Sequence, residues 1–287
     1  MKITVVVNPL SGKRRAPLVV DHAHRLATSD GHELTVRTIN SSGDGERFTR
    51  EAIAHGADRV IAVGGDGTLN AVAGGLIDTK VPLGVVAMGS GNGYARSLGL
   101  SLKPEVALAH AFTAPARAVD ICYLNDRHFL GTAGIGFDAR VAYDFDRSAG
   151  RGLWTYMRII LKEILGAQPM RVVVKANQET SESQVLMLVF CNSREFGNGA
   201  IISPRSVPDD GMAELQLVAK PPLPALVKAF FDVYTGRADR SKHIRSIPCR
   251  EAQVHQDGLL AHLDGEPVEI GKEIRFRLER ERLWVVG

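Results

Sequence analysis

Arg59-Val60-Ile61-Ala62-Val63-Gly64-Gly65-Asp66-Gly67-Thr68-Leu69-Asn70 passes from a β-branched run, through three glycines around an aspartate, into a helical pattern. Arg59–Val63 reads as a buried strand and Thr68–Ile77 as the helix behind it. Glycines let the main chain turn sharply and approach a ligand closely, and the helix offers unpaired N–H groups at its positive end. A phosphate fits that arrangement. Asp66 would repel a phosphate alone, so its presence points to a magnesium ion or a substrate hydroxyl between them. The plain structural alternative is a tight turn with Asp66 as N-cap.

Outward from this turn the same alternation continues. Ile3–Val7, Glu33–Ile39 and Leu83–Ala87 read as strands, and Pro17–Thr28 and Asp44–His55 as helices, the latter ended by Gly56. Strands separated by helices of this length imply βαβ units and a mostly parallel sheet, in which ligands sit at the carboxyl ends of the strands. Each informative end carries a polar or glycine-rich turn: Asn8-Pro9-Leu10-Ser11-Gly12, then Gly64–Gly67, then Gly89-Ser90-Gly91-Asn92-Gly93. The first lacks the GxxxxGK[ST] spacing of a Walker A loop, although Lys13 follows it.

Beyond about Ala118 the period changes. Val119–Leu124, Arg127–Ala133, Met170–Ala176, Gln184–Cys191, Ala213–Val218, Glu251–His255 and Leu259–Leu263 read as strands with turn signals between many of them, as in an antiparallel sandwich or barrel. Leu153–Leu165 and Leu223–Tyr234 read as helical insertions, and Glu273–Gly287 as one or two closing strands. The expected organisation is an α/β domain over residues 1–120 and a β-sandwich domain over 121–287, whose last ten or so residues return to the first.

Composition narrows the function. Of 287 residues, 35 are Lys or Arg and 32 Asp or Glu, for a net charge of +3; with no long basic run, nucleic acid is not an expected partner. Cys122, Cys191 and Cys249 are far apart, with no CxxC pair, which suits buried thiols in a reducing cytosol better than disulfides or zinc. No apolar run approaches the ~18 residues of a membrane span. The helix at 223–234 is apolar along one side and followed by Arg237, Arg240, Lys242 and Arg245. That side either packs on the sandwich or guides a lipid from a membrane surface.

One late station remains: Leu263-Asp264-Gly265-Glu266, which is a hairpin turn or, if the domains face each other across a cleft, a source of a general base. NPLSG at 8–12, GGDGTLN at 64–70, GSGNGYAR at 89–96, GTAGIGFDARV at 131–141, DDGMAELQLV at 209–218 and LDGE at 263–266 stand in this order. In them the chain resembles the diacylglycerol-kinase/sphingosine-kinase superfamily, particularly its soluble bacterial members. GGDGT also occurs in NAD kinases; NPxSG with a late DGE is more specific to lipid kinases.

The resemblance implies a first domain like those of NAD kinase and phosphofructokinase, a C-terminal β-sandwich, and ATP- and magnesium-dependent phosphoryl transfer to a lipid hydroxyl. It assigns ATP contacts to Asn8, Pro9, Leu10, Ser11, Gly12, Thr38, Gly64, Gly65, Asp66, Gly67, Thr68, Leu69, Asn70 and Ser90. Glu266 falls on the general base and Asp66 on the aspartate for catalysis and metal. Asp138 falls in a region that handles the acceptor head group, with a turn or helix cap as its structural alternative. A structural magnesium falls on Asp210 with main-chain oxygens of Val207 and Met212, unless Asp209 and Asp210 merely form a hairpin turn. Many bacterial diacylglycerol kinases read GTAND where this chain has GSGNG, with Gly93 in place of the aspartate, which leaves the acceptor open between diacylglycerol-like and sphingoid- or ceramide-like lipids. The expected setting is cytoplasmic, with transient contact at the membrane surface; exposed sandwich edges leave a homodimer open. An NAD kinase or other small-alcohol kinase, and a nucleotide-binding regulator without turnover, are the rival readings.

Overall fold

β-Branched runs alternate with helices through the first unit. The computed structural model describes residues 1–12, 15–148, 150 and 153–287, leaving the side chains of Leu153, Tyr156 and Leu223 aside; Lys13 lies outside the described residues. The chain divides into one unit of Met1–Val119 with Glu281–Gly287 and another of Asp120–Arg280. The first holds β1 (Lys2–Val7), α1 (Ala16–Asp30), β2 (Glu33–Thr38), α2 (Asp44–Ala54), β3 (Arg59–Gly64), α3 (Asp66–Leu76), β4 (Leu83–Ala87), α4 (Gly93–Ser97) and α5 (Pro104–Thr113). The strands lie in the order β2-β1-β3-β4, all parallel.

Local chemistry sets the helix ends. Proline opens α1, and Gly31 closes it in the left-handed region at φ 67°, donating its N–H to the Ala27 carbonyl. The Asp44 carboxylate accepts the N–H groups of Asn40 and Ser41, both at 2.9 Å, and so holds the loop entering α2. Buried Ile3, Val5, Val7, Ile61, Val63 and Val86 pack with Val19, Ala23, Leu108 and Phe112 of the helices. Proline likewise stands in the first turn of α5.

The second unit continues from β5 (Ala116–Leu124) through β6 (Arg127–Phe129), β7 (Thr132–Gly136), α6 (Phe137–Arg147), α7 (Leu153–Gly166), β8 (Met170–Ala176), β9 (Glu179–Val185), β10 (Met187–Cys191), β11 (Glu195–Gly197) and β12 (Ala200–Ile201). It closes with β13 (Ala213–Val218), α8 (Leu223–Tyr234), β14 (Ile244–Cys249), β15 (Glu251–Gln256), β16 (Leu260–Leu263), β17 (Glu266–Glu269) and β18 (Glu273–Val286), whose last residues belong to the first unit. Two expected single strands are each two, because the chain breaks at Leu130–Gly131 and again at Leu186.

One sheet of this unit runs β14-β13-β10-β7-β16-β17, all antiparallel. The other pairs β18 with β15, β15 with β8, and β8 with β9, again antiparallel. Their inner faces meet in one core in which Ile135, Leu188, Phe190, Leu215 and Leu263 pack with Val172, Val174, Val254, Ile274 and Phe276. The first unit is therefore an α/β domain with a mostly parallel sheet and the second an antiparallel β-sandwich. All three thiols are free and buried, and burial pushes Cys249 up to about 12, which leaves it inert as a nucleophile.

The fully buried Phe190 ring stacks on Phe276 at 5.0 Å between centroids. Phe190→Ala is expected to destabilise the sandwich by about 3–5 kcal/mol, read as a lower urea midpoint.

Candidate active site

In the first unit the registers bring four strand ends to one edge. Val7 lies opposite both Thr38 and Val63, and Gly64 lies opposite Ala87. The turns that follow these strands are therefore neighbours, where ligands of open α/β sheets bind. Asn8 ties two of them together. Its N–H donates to the Val63 carbonyl at 3.0 Å, its Oδ1 accepts the Leu10 N–H at 3.0 Å, and its Nδ2 donates to Thr68 Oγ1 at 3.4 Å.

The third turn is joined to the second through main chain. Met88 N–H donates to the Gly64 carbonyl at 2.7 Å. A Cβ on Gly89 would lie 2.8 Å from Gly65 Cα, closer than real side chains come, so glycine is needed for this approach. Gly65 occupies the N-cap and Asp66 is the first helical residue of α3, so Asp66 is not the N-cap. Its Oδ2 accepts the N–H of Asn92 at 3.0 Å. Asn92 is buried, sits in the left-handed region at φ 53°, and donates its Nδ2 to the Gly89 carbonyl at 3.0 Å. Sequence reasoning passed over Asn92; the signal was an asparagine inside a glycine-rich loop, the residue type that tolerates this conformation.

This corner gathers Asn8, Gly64, Gly65, Asp66 and Thr68, with Thr38 exposed at the end of β2 and Ser90 exposed on the third turn. One carboxylate beside helix and loop amides suits a magnesium ion that keeps its waters and takes its remaining ligands from phosphate oxygens.

In the second unit, Asp264 and Gly265 form the two-residue turn between Leu263 and Glu266, which pair across it. Their φ values of 49° and 89° are the positive pair that a type I′ hairpin requires, and Asp-Gly supplies it. The hairpin reading is thus realised in the backbone. Asp264 does more than turn. Its Oδ2 accepts the Leu130 N–H at 2.8 Å, and its Oδ1 accepts those of Gly131 at 2.8 Å and Thr132 at 3.1 Å. That carboxylate is committed to structure, and exposed Glu266, first residue of β17, is the acid that the turn presents to solvent.

Asp138 lies in the first turn of α6 and is 8% exposed. Its Oδ1 accepts the Ala139 N–H at 2.9 Å, while Oδ2 lies 3.2 Å from Nε2 of buried His262. Any acceptor contact through this carboxylate would be shared with that histidine. His262 was not singled out in the sequence; a polar residue amid the apolar Leu260–Leu263 run was the available signal.

Asp210 is exposed and accepts the Met212 N–H at 2.9 Å, and Val207 is exposed nearby in sequence. Among the described residues no group of three or more His, Cys, Asp or Glu could hold a metal ion. A lone carboxylate with main-chain oxygens and water still suits magnesium. Burial pushes the carboxyl of Glu214 above its ordinary 4.5, and the charge of Asp210 adds to the shift, an effect that a cation at Asp210 would oppose.

The diacylglycerol kinase catalytic domain matches residues 2–124, and the YegS C-terminal NAD kinase beta sandwich-like domain matches residues 131–275. A protein of Pectobacterium atrosepticum named "Probable lipid kinase YegS-like" is 32% identical over 285 residues, spanning 96% of this chain and 92% of its own. One of the same name from Chromohalobacter salexigens is 31% identical over 268 residues, 90% of this chain and 85% of its own. Among solved structures, a diacylglycerol kinase from Bacillus anthracis superposes with a TM-score of 0.75 at 18% identity, covering 99% of this chain and 96% of that one. At that identity the likeness speaks for the fold.

Removing the Asp264 side chain would strand amide donors that now bond to a carboxylate. Asp264→Ala is expected to cost about 3 kcal/mol or more, measured as loss of unfolding free energy in urea.

Proposed function

The chain belongs to the YegS-like diacylglycerol kinase family and is a kinase, and from that premise we propose that it transfers the γ-phosphoryl group of ATP to the hydroxyl of a lipid, with magnesium. The observation that carries the reading is the joined corner of Asn8, Gly65, Asp66 and Thr68, where main-chain approach and a helix N-terminus suit a polyphosphate. The turns at 8–12 and 64–70, with Ser90 and Thr38, hold ATP. Magnesium, when bound near Asp66, supplies positive charge against that developing on the transferred group. A second, structural magnesium would be held by Asp210 with the carbonyls of Val207 and Met212.

Glu266 takes the proton of the acceptor hydroxyl as that oxygen attacks phosphorus in line, and the bond to the β-phosphate bridging oxygen breaks. Exposure suits this role, because the base must meet a proton carried by an incoming lipid. Asp138, paired with His262, contributes to the acceptor side.

The acceptor comes from a bilayer, which the chain meets through α7 and α8. Trp154, Leu161 and Leu165 of α7 are exposed, as are Val227, Phe230 and Phe231 of α8. Tyr234 Oη lies 3.9 Å from Met157 Sδ, so the two helices adjoin. Inner residues Ile159, Ile160 and Ile164 of α7 and Val233 of α8 pack inward, which leaves the exposed face of each helix for the proposed contact. Arg158, Lys162 and Lys228 are exposed on the same helices, a combination suited to an anionic interface. No helix among the described residues is long and apolar enough to cross a membrane.

Labelled ATP is expected to mark one lipid class in a total bacterial lipid extract and to leave NAD unlabelled; label on NAD alone would overturn the lipid reading. Glu266→Gln should lower that transfer by about 10²–10⁴-fold while ATP binding by calorimetry is kept. The double variant Phe230→Ser with Phe231→Ser should no longer sediment with phosphatidylglycerol vesicles, and equal sedimentation with wild type would end the docking assignment.

A further inference from the structure

A row across the six-stranded sheet carries a buried chain of polar contacts that ends at the turn bearing Glu266. His262 lies opposite Gly134 in the register, and Ala261 and Leu263 on either side of it face the sandwich core. By strand alternation His262 therefore points to the other face, under α6 and beside Phe196, whose ring meets it edge-on at 6.0 Å. Gly134 makes the room. A Cβ there would collide with the Asp138 carboxylate and lie 2.8 Å from His262 Nε2.

The tautomer follows from the partners. The Gly265 N–H can only donate, and it lies 3.3 Å from His262 Nδ1, so Nδ1 accepts. The neutral ring then carries its proton on Nε2, which donates to Asp138 Oδ2 at 3.2 Å. Asp138 thereby holds the ring, and the ring holds the amide of the residue immediately before Glu266.

We infer that His262 is a positioning residue: with Asp138 behind it, it clamps the Gly265 amide and so sets where the Glu266 carboxylate stands. The effect on turnover rests on Glu266 being the base, whereas the clamp itself does not. Asp264 anchors the turn to the loop at 130–132, and His262 anchors its opposite corner.

Two near-isosteric replacements separate the two ends of the ring. Asparagine places a side-chain oxygen near the position of Nδ1 and gives up the donor to Asp138. Glutamine reaches the position of Nε2 and gives up the acceptor for Gly265. His262→Gln is expected to speed amide exchange at Gly265 by at least about tenfold, with exchange elsewhere in β16 unchanged. With labelled ATP and total bacterial lipid extract it should lower kcat by about 10–100-fold at unchanged KM for ATP. His262→Asn, which keeps the acceptor for Gly265 but loses the hold of Asp138, should fall between wild type and His262→Gln in both. Wild-type exchange at Gly265 in His262→Gln would overturn the clamp. So would ¹⁵N shifts of wild-type His262 that place the ring proton on Nδ1, a measurement that needs no folded variant at the site. Faster exchange with normal kcat, while Glu266→Gln is inactive, would overturn the link to turnover. A fully active Glu266→Gln would instead overturn the proposed base and leave the exchange result to decide the clamp.

Discussion

Three main-chain N–H groups converge on the carboxylate of Asp264, and much of the second unit hangs on that convergence. Leu130 and Gly131 lead from β6 into β7, which Thr132 opens, and a buried amide without an acceptor is costly. Asp264, more than 130 positions later, supplies both oxygens. Closing these bonds locks β16 against β7, with Ala261 and Leu263 in the core and His262 on the outer face. A slip of one residue would exchange those faces. The place of Glu266 is therefore set by a carboxylate that takes no part in the chemistry proposed for its neighbour.

The first unit solves a related problem differently. Its site is built by bringing main chains together, with side chains serving as clips. Gly65 and Gly89 approach because neither has a Cβ, Asn8 spans from the first turn to Thr68, and the Asn92 amide meets Asp66. The polyphosphate proposed for it would reward that economy of side chains, since amides and a helix terminus act on such a group most strongly at close range. Asp66 is the exception that carries charge, and one of its oxygens is already engaged by the third turn.

The helices α7 and α8 follow another rule. Each buries one apolar face, α7 against Phe137 and Val141 of α6 and α8 against the sandwich, and leaves a second exposed, Trp154 at 88% and Phe231 at 60%. Large apolar groups turned to water on adjoining helices are unfavourable unless something else covers them. Under the lipid-kinase proposal the substrate itself lives at such a surface, so exposure and acceptor class point the same way.

What could be read without coordinates was whatever depends on near neighbours in the chain. The βαβ rhythm of the first unit, the change of period near residue 118, the glycine turns and the Asp264-Gly265 hairpin all arise from backbone preferences acting over a few residues, and they appear in the structure. The family motifs likewise named Asp66, Asp138 and Glu266 from their local surroundings. The break at Leu186 was not visible, because that run stays apolar through the bend, and the break at Leu130–Gly131 was marked by a single glycine within a run that resumes directly. Nor were the Asn92 clip on Asp66 or the pairing of Asp138 with His262. Those contacts join residues 26 and 124 positions apart, and they exist only once strand register has chosen which face each side chain takes. Alternation along one strand offers two such faces and leaves the choice to the packing of all the others.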